Sequence, residues 1–215
     1  MRSSVSDAAP RSFQLRHLQM ARAALAALAA IMITFSPDHS AAVGMPIFSG
    51  FAVATAVVFL FAAWLVATPG RRWQPVLLGA LTLAAGLISS LPGLRTTTGF
   101  FVTVLIWAAA VGVAELVMGI VDRRADIEGA RDAIFTGALG LLLAVGLLLT
   151  NPAYSLDYFI AEAGRSFTLT GITIGVGLFG FYTAIVAVQL GIAAFSPRPA
   201  QAVSDDPAHT AGGSA

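Results

Sequence analysis

Residues 73–124 read WQPVLLGALTLAAGLISSLPGLRTTTGFFVTVLIWAAAVGVAELVMGIVDRR. An apolar run of helix length ends at Pro92, a second one follows, and the next cluster of charge waits until Asp122, Arg123 and Arg124. A proline just past a helix end disfavours helical geometry in the residue before it and offers no N–H to continue the ladder, so it marks a turn. The same arrangement surrounds Pro37 and Pro152. Three such units predict an all-α, polytopic integral membrane protein of six transmembrane helices in three helical hairpins, over about 18–67, 75–121 and 133–195.

Composition points the same way. Hydrophobic residues make up 57% of the 215 residues, charged residues only 11%, and the mean hydropathy is +0.84, more apolar side chain than a globule of this size can bury. The spans are expected at Leu18–Phe35, Pro46–Ala67, Pro75–Leu91, Thr98–Val121, Ala133–Thr150 and Leu169–Phe195. The third is the shortest, about 26 Å of helix at 1.5 Å per residue, which suggests a thinned bilayer or a buried position. A cleaved leader would be followed by a polar domain, whereas here the apolar runs continue to Phe195, so the first run reads as retained. The tails, 1–17 and 196–215, lack apolar periodicity and are expected to be disordered.

All twelve basic residues are arginine. Without lysine, a phosphate-binding P-loop and Schiff-base chemistry are excluded, and without cysteine so are disulfides and thiolate metal sites. Sorting the arginines by segment leaves only Arg95 and Arg165 beside the proline turns and the other ten on the opposite side. The positive-inside rule then places both termini in the cytoplasm. Trp64 and Trp73 flank the Arg71–Arg72 turn and read as interface anchors.

Aligned on their prolines, which lie 55 and 60 residues apart, the leading helices share small residues. Gly86 and Gly146 both sit six residues before the proline, and Ala80 and Gly140 both twelve before, whereas the first copy has Ile31 and Leu25 there. Duplication accounts for this pattern. The chain here resembles the HdeD-type acid-resistance membrane proteins of bacteria, with three tandem two-helix repeats. The resemblance rests on LLGALTLAAGLISSLPGL with IWAAAVGVAELVMGIVDRR, on TGALGLLLAVGLLLTNP with IGVGLFGFYTAIVAV, and most of all on Trp107, Gly112 and Glu115 in one helix ending at Arg123–Arg124. The first copy, FSGFAVATAVVFLFAAW, has neither the acid nor the arginine pair. The resemblance implies a bacterial plasma (inner) membrane protein linked to acid or envelope stress.

Glu115 is the only acid inside an expected span, about 9 Å below the arginine-rich boundary. A bare charge at that depth costs several kcal/mol, so it must be protonated or paired. Arg22, at similar depth on the same side, is the expected partner, in a pair that either fixes helix register or serves a proton relay. Asp38, His39, Asp157 and Glu162 in the outward turns change charge as external pH falls. They do not have the spacing of a zinc site, so no metal is expected, and no cofactor either.

The segment Asn151–Thr168 reads as an interfacial stretch, a lid or an anchored loop, with Tyr154 and Tyr158 on one face if helical. Gly171 and Gly175 form a GxxxG pair suited either to oligomerisation or to packing within the chain. The remaining polar span residues, among them Thr55, Thr82, Thr183 and Gln189, do not line up as a hydrophilic channel. No paired intramembrane aspartates, nucleophile–histidine pair or HExxH occurs, so catalysis is not expected. The expected partners are the lipid bilayer and a second copy or another membrane protein, not nucleic acid. The resulting expectation is a non-enzymatic, HdeD-like protein of acid or envelope stress tolerance, the alternative being a small proton-coupled transporter or channel using Glu115.

Overall fold

The computed structural model describes residues 14–161 and 164–196. It is mostly helical and contains six helices long and apolar enough to cross a membrane: α1 (Leu15–Thr34), α2 (Ala41–Leu65), α3 (Trp73–Ser90), α4 (Thr97–Arg124), α5 (Ala130–Leu149) and α6 (Gly171–Phe195). The outward face of the bundle is apolar, with Leu28, Phe61, Ile106, Leu142, Phe181 and Ile192 all exposed. That surface suits a lipid environment, where apolar side chains need no covering.

The prolines act as the sequence suggests. α1, α3 and α5 each end two or three residues before Pro37, Pro92 and Pro152, and Pro92 opens a single 3₁₀ turn. Other boundaries move. α2 begins at Ala41 rather than Pro46, because Asp38 turns the chain by accepting from the Ser40 N–H at 2.8 Å and its hydroxyl at 2.9 Å. Pro46 then sits inside α2 near its start, where its missing donor costs one ladder bond. α4 runs on to Arg124, and α5 starts at Ala130.

The chain is not all-α. Ser155–Ile160 (β1) pairs antiparallel with Arg165–Thr170 (β2), Leu156 opposite Leu169 and Tyr158 opposite Phe167. The segment expected to be an interfacial helix or loop is therefore for the most part a β-hairpin leading into α6. Its alternation decides this: Leu156 and Tyr158 share one face with Phe167 and Leu169, while Asp157 and Thr168 hydrogen-bond on the other. Tyr158 stacks on Phe167 with centroids 5.9 Å apart.

The helices close into a ring in which α2, α4 and α6 also meet one another at the centre. The most extensive contacts are α2 with α3, α4 with α5, and α6 back to α1, rather than between helices that flank a proline turn. Small residues choose these neighbours. A Cβ on Gly112 would stand 3.0 Å from the Gly137 carbonyl oxygen, and one on Gly79 would stand 3.1 Å from Leu60. In lipid, close backbone approach of this kind is a chief source of helix–helix packing energy. Gly171 and Gly175 are likewise spent within the chain, against Asn151 and Pro152 and against the Phe101 ring.

At the centre the even-numbered helices bury an aromatic plug. Phe48 meets Trp107 at 5.1 Å and Phe179 at 5.4 Å, Phe51 meets both at 6.0 and 5.6 Å, and Tyr182 meets Trp107 at 5.9 Å. All five pairs are edge-to-face, each worth about 0.5–1.5 kcal/mol beyond area burial. Replacing Gly112 by Val should push α4 from α5 and cost roughly 1–3 kcal/mol by overpacking, read as a lower unfolding temperature in detergent. Gly177→Ala, where a Cβ meets nothing within 4 Å, should cause no loss. Equal behaviour of the two variants would contradict the packing described.

Candidate functional site

Arg22 lies two turns into α1 and Glu115 nine residues before the end of α4, about 14 Å of helix from that end. Arg22 Nη2 donates to Glu115 Oε1 at 2.7 Å, with side-chain exposures of 16% and 3%. The guanidinium also lies over the Phe59 ring, 4.5 Å from its centroid. Two opposite charges so placed neutralise one another where water cannot, and the aromatic face adds to the stabilisation of the cation.

Below the pair is a small cavity of about 10 Å³, bounded by Thr55, Thr82, Trp107, Val111, Tyr182 and Val186. Trp107 Nε1 donates to Thr82 Oγ1 at 3.3 Å, whereas Thr55 Oγ1 is buried without a partner. The space is about that of one water molecule. Thr55 and Thr82 face the same interior point as Arg22 and Glu115, two hydroxyls gathered at the pair without forming a hydrophilic channel. Others do turn back to their own helices, Ser89 to Ala85 O at 2.7 Å and Thr183 to Gly180 O at 2.9 Å.

Above the pair a second cavity of about 530 Å³ lies between the helices at the end where α1 begins and α6 nears its end. Every helix contributes to its wall: Leu18, Phe59, Leu78, Met118, Ala133 and Leu190, in chain order from α1 to α6. Arg22 and Glu115 border both cavities and so form the floor of the larger one. Its lining carries three further carboxylates, Asp122, Glu128 and Asp132. Asp122 pairs with Arg71 and accepts from Gln74 Nε2 at 3.2 Å. Asp132 accepts from Gln19 Nε2 and, at 2.8 Å, from Gln189 Nε2, joining α5 to α1 and α6. Gln189 Oε1 is left buried without a partner.

Glu115 is thus not the only acid on a membrane-length helix, because α4 and α5 extend past the expected ends and carry Asp122 and Asp132 with them. Sequence reasoning missed Gln19, Gln74, Asp122, Asp132 and Tyr182. Two of them left a signal: Gln19 and Asp132 stand at the edges of apolar runs that begin with polar residues.

The outward candidates are not brought together. Asp38 is engaged by Ser40, His39 is half-buried in the same turn, and Asp157 is bonded to Thr168 in the hairpin. Among the described residues no hydrogen bond joins the two loops. Glu162 lies outside the described residues.

Replacing Glu115 by Gln leaves a guanidinium at depth with no counter-ion and should cost roughly 3 kcal/mol, the lower end for a broken buried pair because Arg22 keeps some contact with the cavity. Neutralising Arg22 as well should restore part of that loss. Thermal unfolding in detergent checks both, and single and double mutants that melt like the parent would contradict it. Comparison with protein-family models, curated proteins and solved structures finds no match to this chain.

Proposed function

We propose that this protein resides in the bacterial plasma membrane as three two-helix repeats with both termini in the cytoplasm. It acts without catalysis, as a small proton-coupled transporter that serves acid or envelope stress tolerance. The observation that carries the transport reading is that the Arg22–Glu115 pair floors an open cavity of about 530 Å³ instead of being sealed between two helices. An intramembrane ion pair at the end of a cavity is where a proton and a solute can be exchanged. The aromatic plug of Phe48, Phe51, Trp107, Phe179 and Tyr182 lies beyond it and would close the far side.

Support for the repeat comes from the three central helices. Phe48, Val104 and Phe179, then Phe51, Trp107 and Tyr182, then Phe59, Glu115 and Leu190 recur at the same two spacings, and in each triplet all three residues are buried. Ala56 and Gly112 share the first of those spacings, and each is approached by a glycine, Gly79 or Gly137, from the neighbouring helix. That register pairs Gly79 with Gly137, two residues away from an alignment on the prolines. Glu115 then stands where the other repeats carry Phe59 and Leu190.

A purely structural role, a clasp between α1 and α4, is favoured by the 3% exposure of Glu115. Cysteine labelling separates the two readings in a chain that has no cysteine of its own. In nanodiscs, Met118→Cys on the cavity wall should react with a membrane-impermeant methanethiosulfonate, and Val104→Cys, fully buried one turn from Trp107 on α4, should not. Protection of both would favour the clasp. Reaction at both would show that nothing closes the far side.

A further inference from the structure

Arg22 uses little of its hydrogen-bonding capacity. A guanidinium carries five N–H donors, yet among the described residues the hydrogen bond of this one is the single bond from Nη2 to Glu115. None of its other nitrogens is a sealed, unpartnered group, and the side chain lines the large cavity. The free donors thus belong to the floor of a space whose walls are mainly apolar, with Leu18, Phe59, Leu78, Met118 and Leu190 around it. An arginine at the end of an apolar cavity matches a carboxylate on an apolar body, since its planar fork takes two carboxylate oxygens at once.

Charge balance says when such a ligand can bind. The buried site tolerates one positive charge with one negative charge, and Glu115 normally supplies the latter. A second anion would leave the site with excess negative charge unless Glu115 takes a proton. We infer that the cavity is a binding site for small organic monocarboxylates, in which the ligand's carboxylate replaces Glu115 on Arg22 as a proton from water moves onto Glu115.

The proton and the anion then enter together, and the site stays neutral. This rests on the transport reading and names its substrate class. The charged and titratable groups around Glu115 are few. Arg22 faces it from α1 and Tyr182 from α6, while α2 and α3 present Phe59, Thr55, Leu78 and Thr82, which do not titrate. On the rim, Asp122 is held by Arg71, and Asp132, with Glu128 near it, is held by Gln19 and Gln189. The other cation lining the cavity among the described residues, Arg71, is paired with Asp122. A proton on Glu115 is therefore the direct way to release it.

The test is equilibrium binding of radiolabelled benzoate to the purified full chain in nanodiscs, at pH 5 and pH 7.5. Binding should be at least about tenfold tighter at pH 5, because each benzoate bound takes up one proton, and such linkage changes affinity by up to about tenfold per pH unit. Glu115→Gln, a permanent mimic of the protonated acid, should bind benzoate tightly at both pH values, with the pH dependence gone. Benzamide, which lacks the charge, should not compete. Oleate supplied in the bilayer separates sources: competition by oleate would show that membrane carboxylates reach the site, and no competition that ligands arrive from water. The inference is overturned by equal benzoate affinity at both pH values in the parent chain, by pH dependence that survives in Glu115→Gln, or by no binding to a folded protein. Failure here with Met118→Cys still labelled would remove the carboxylate ligand and leave the open cavity. Failure of both would remove the transport reading itself.

Discussion

A charge cannot be left alone in the middle of a bundle whose outside is apolar. Arg22 and Glu115 satisfy that constraint with a 2.7 Å ion pair, and much of the interior is arranged around it. The pair ties α1 to α4, helices far apart in sequence whose main packing partners are α6 and α5. Phe59 of α2 lies against the guanidinium, so a third helix is drawn to the same point. Because each ion stabilises the other, neither can change alone without a cost of several kcal/mol. The same coupling makes the pair responsive: anything that neutralises Glu115 releases a guanidinium with most of its donors unused.

Two layers of different chemistry bracket this point. On one side the aromatic plug is built from rings of α2, α4 and α6, with Phe48 and Phe179 fully buried. On the other, the rim is polar and neutralised pair by pair, Asp122 with Arg71 and Asp132 with Gln19 and Gln189. These rim contacts join neighbouring helices at their ends, where a helix otherwise has only lipid and water to hold it. A closely packed aromatic half and an open half with a polar rim, with the ion pair at the boundary, is an arrangement that packing alone does not require.

The six apolar helices and the proline turns are legible in the sequence because both depend on local chemistry, run length and the missing N–H of Pro37, Pro92 and Pro152. Arg22 and Glu115 stand out for a related reason, since a charge inside an apolar run needs a partner at the same depth. Three features are hidden. The order of contact around the ring depends on Gly79, Gly112 and Gly137, whose partners lie on other helices, so no local pattern reveals that α6 returns to α1. Asp122 and Asp132 look like loop residues because helix ends are set by capping and packing rather than by hydropathy. The hairpin is masked by Tyr154 and Tyr158, which fit a helical spacing, while the alternation of Leu156 and Tyr158 against Phe167 and Leu169 becomes evident only when the two strands are paired.

The central claim is that Glu115 exchanges between an ion-paired and a protonated state. The chain has three glutamates, Glu115, Glu128 and Glu162, so carbon-13 labelling of the glutamate carboxyls followed by NMR resolves the one in question, with Glu115→Gln supplying the assignment. The account predicts that adding benzoate at pH 5 moves the Glu115 signal from the carboxylate to the carboxylic acid position. A Glu115 signal that stays in the carboxylate position throughout, with and without benzoate, would contradict it.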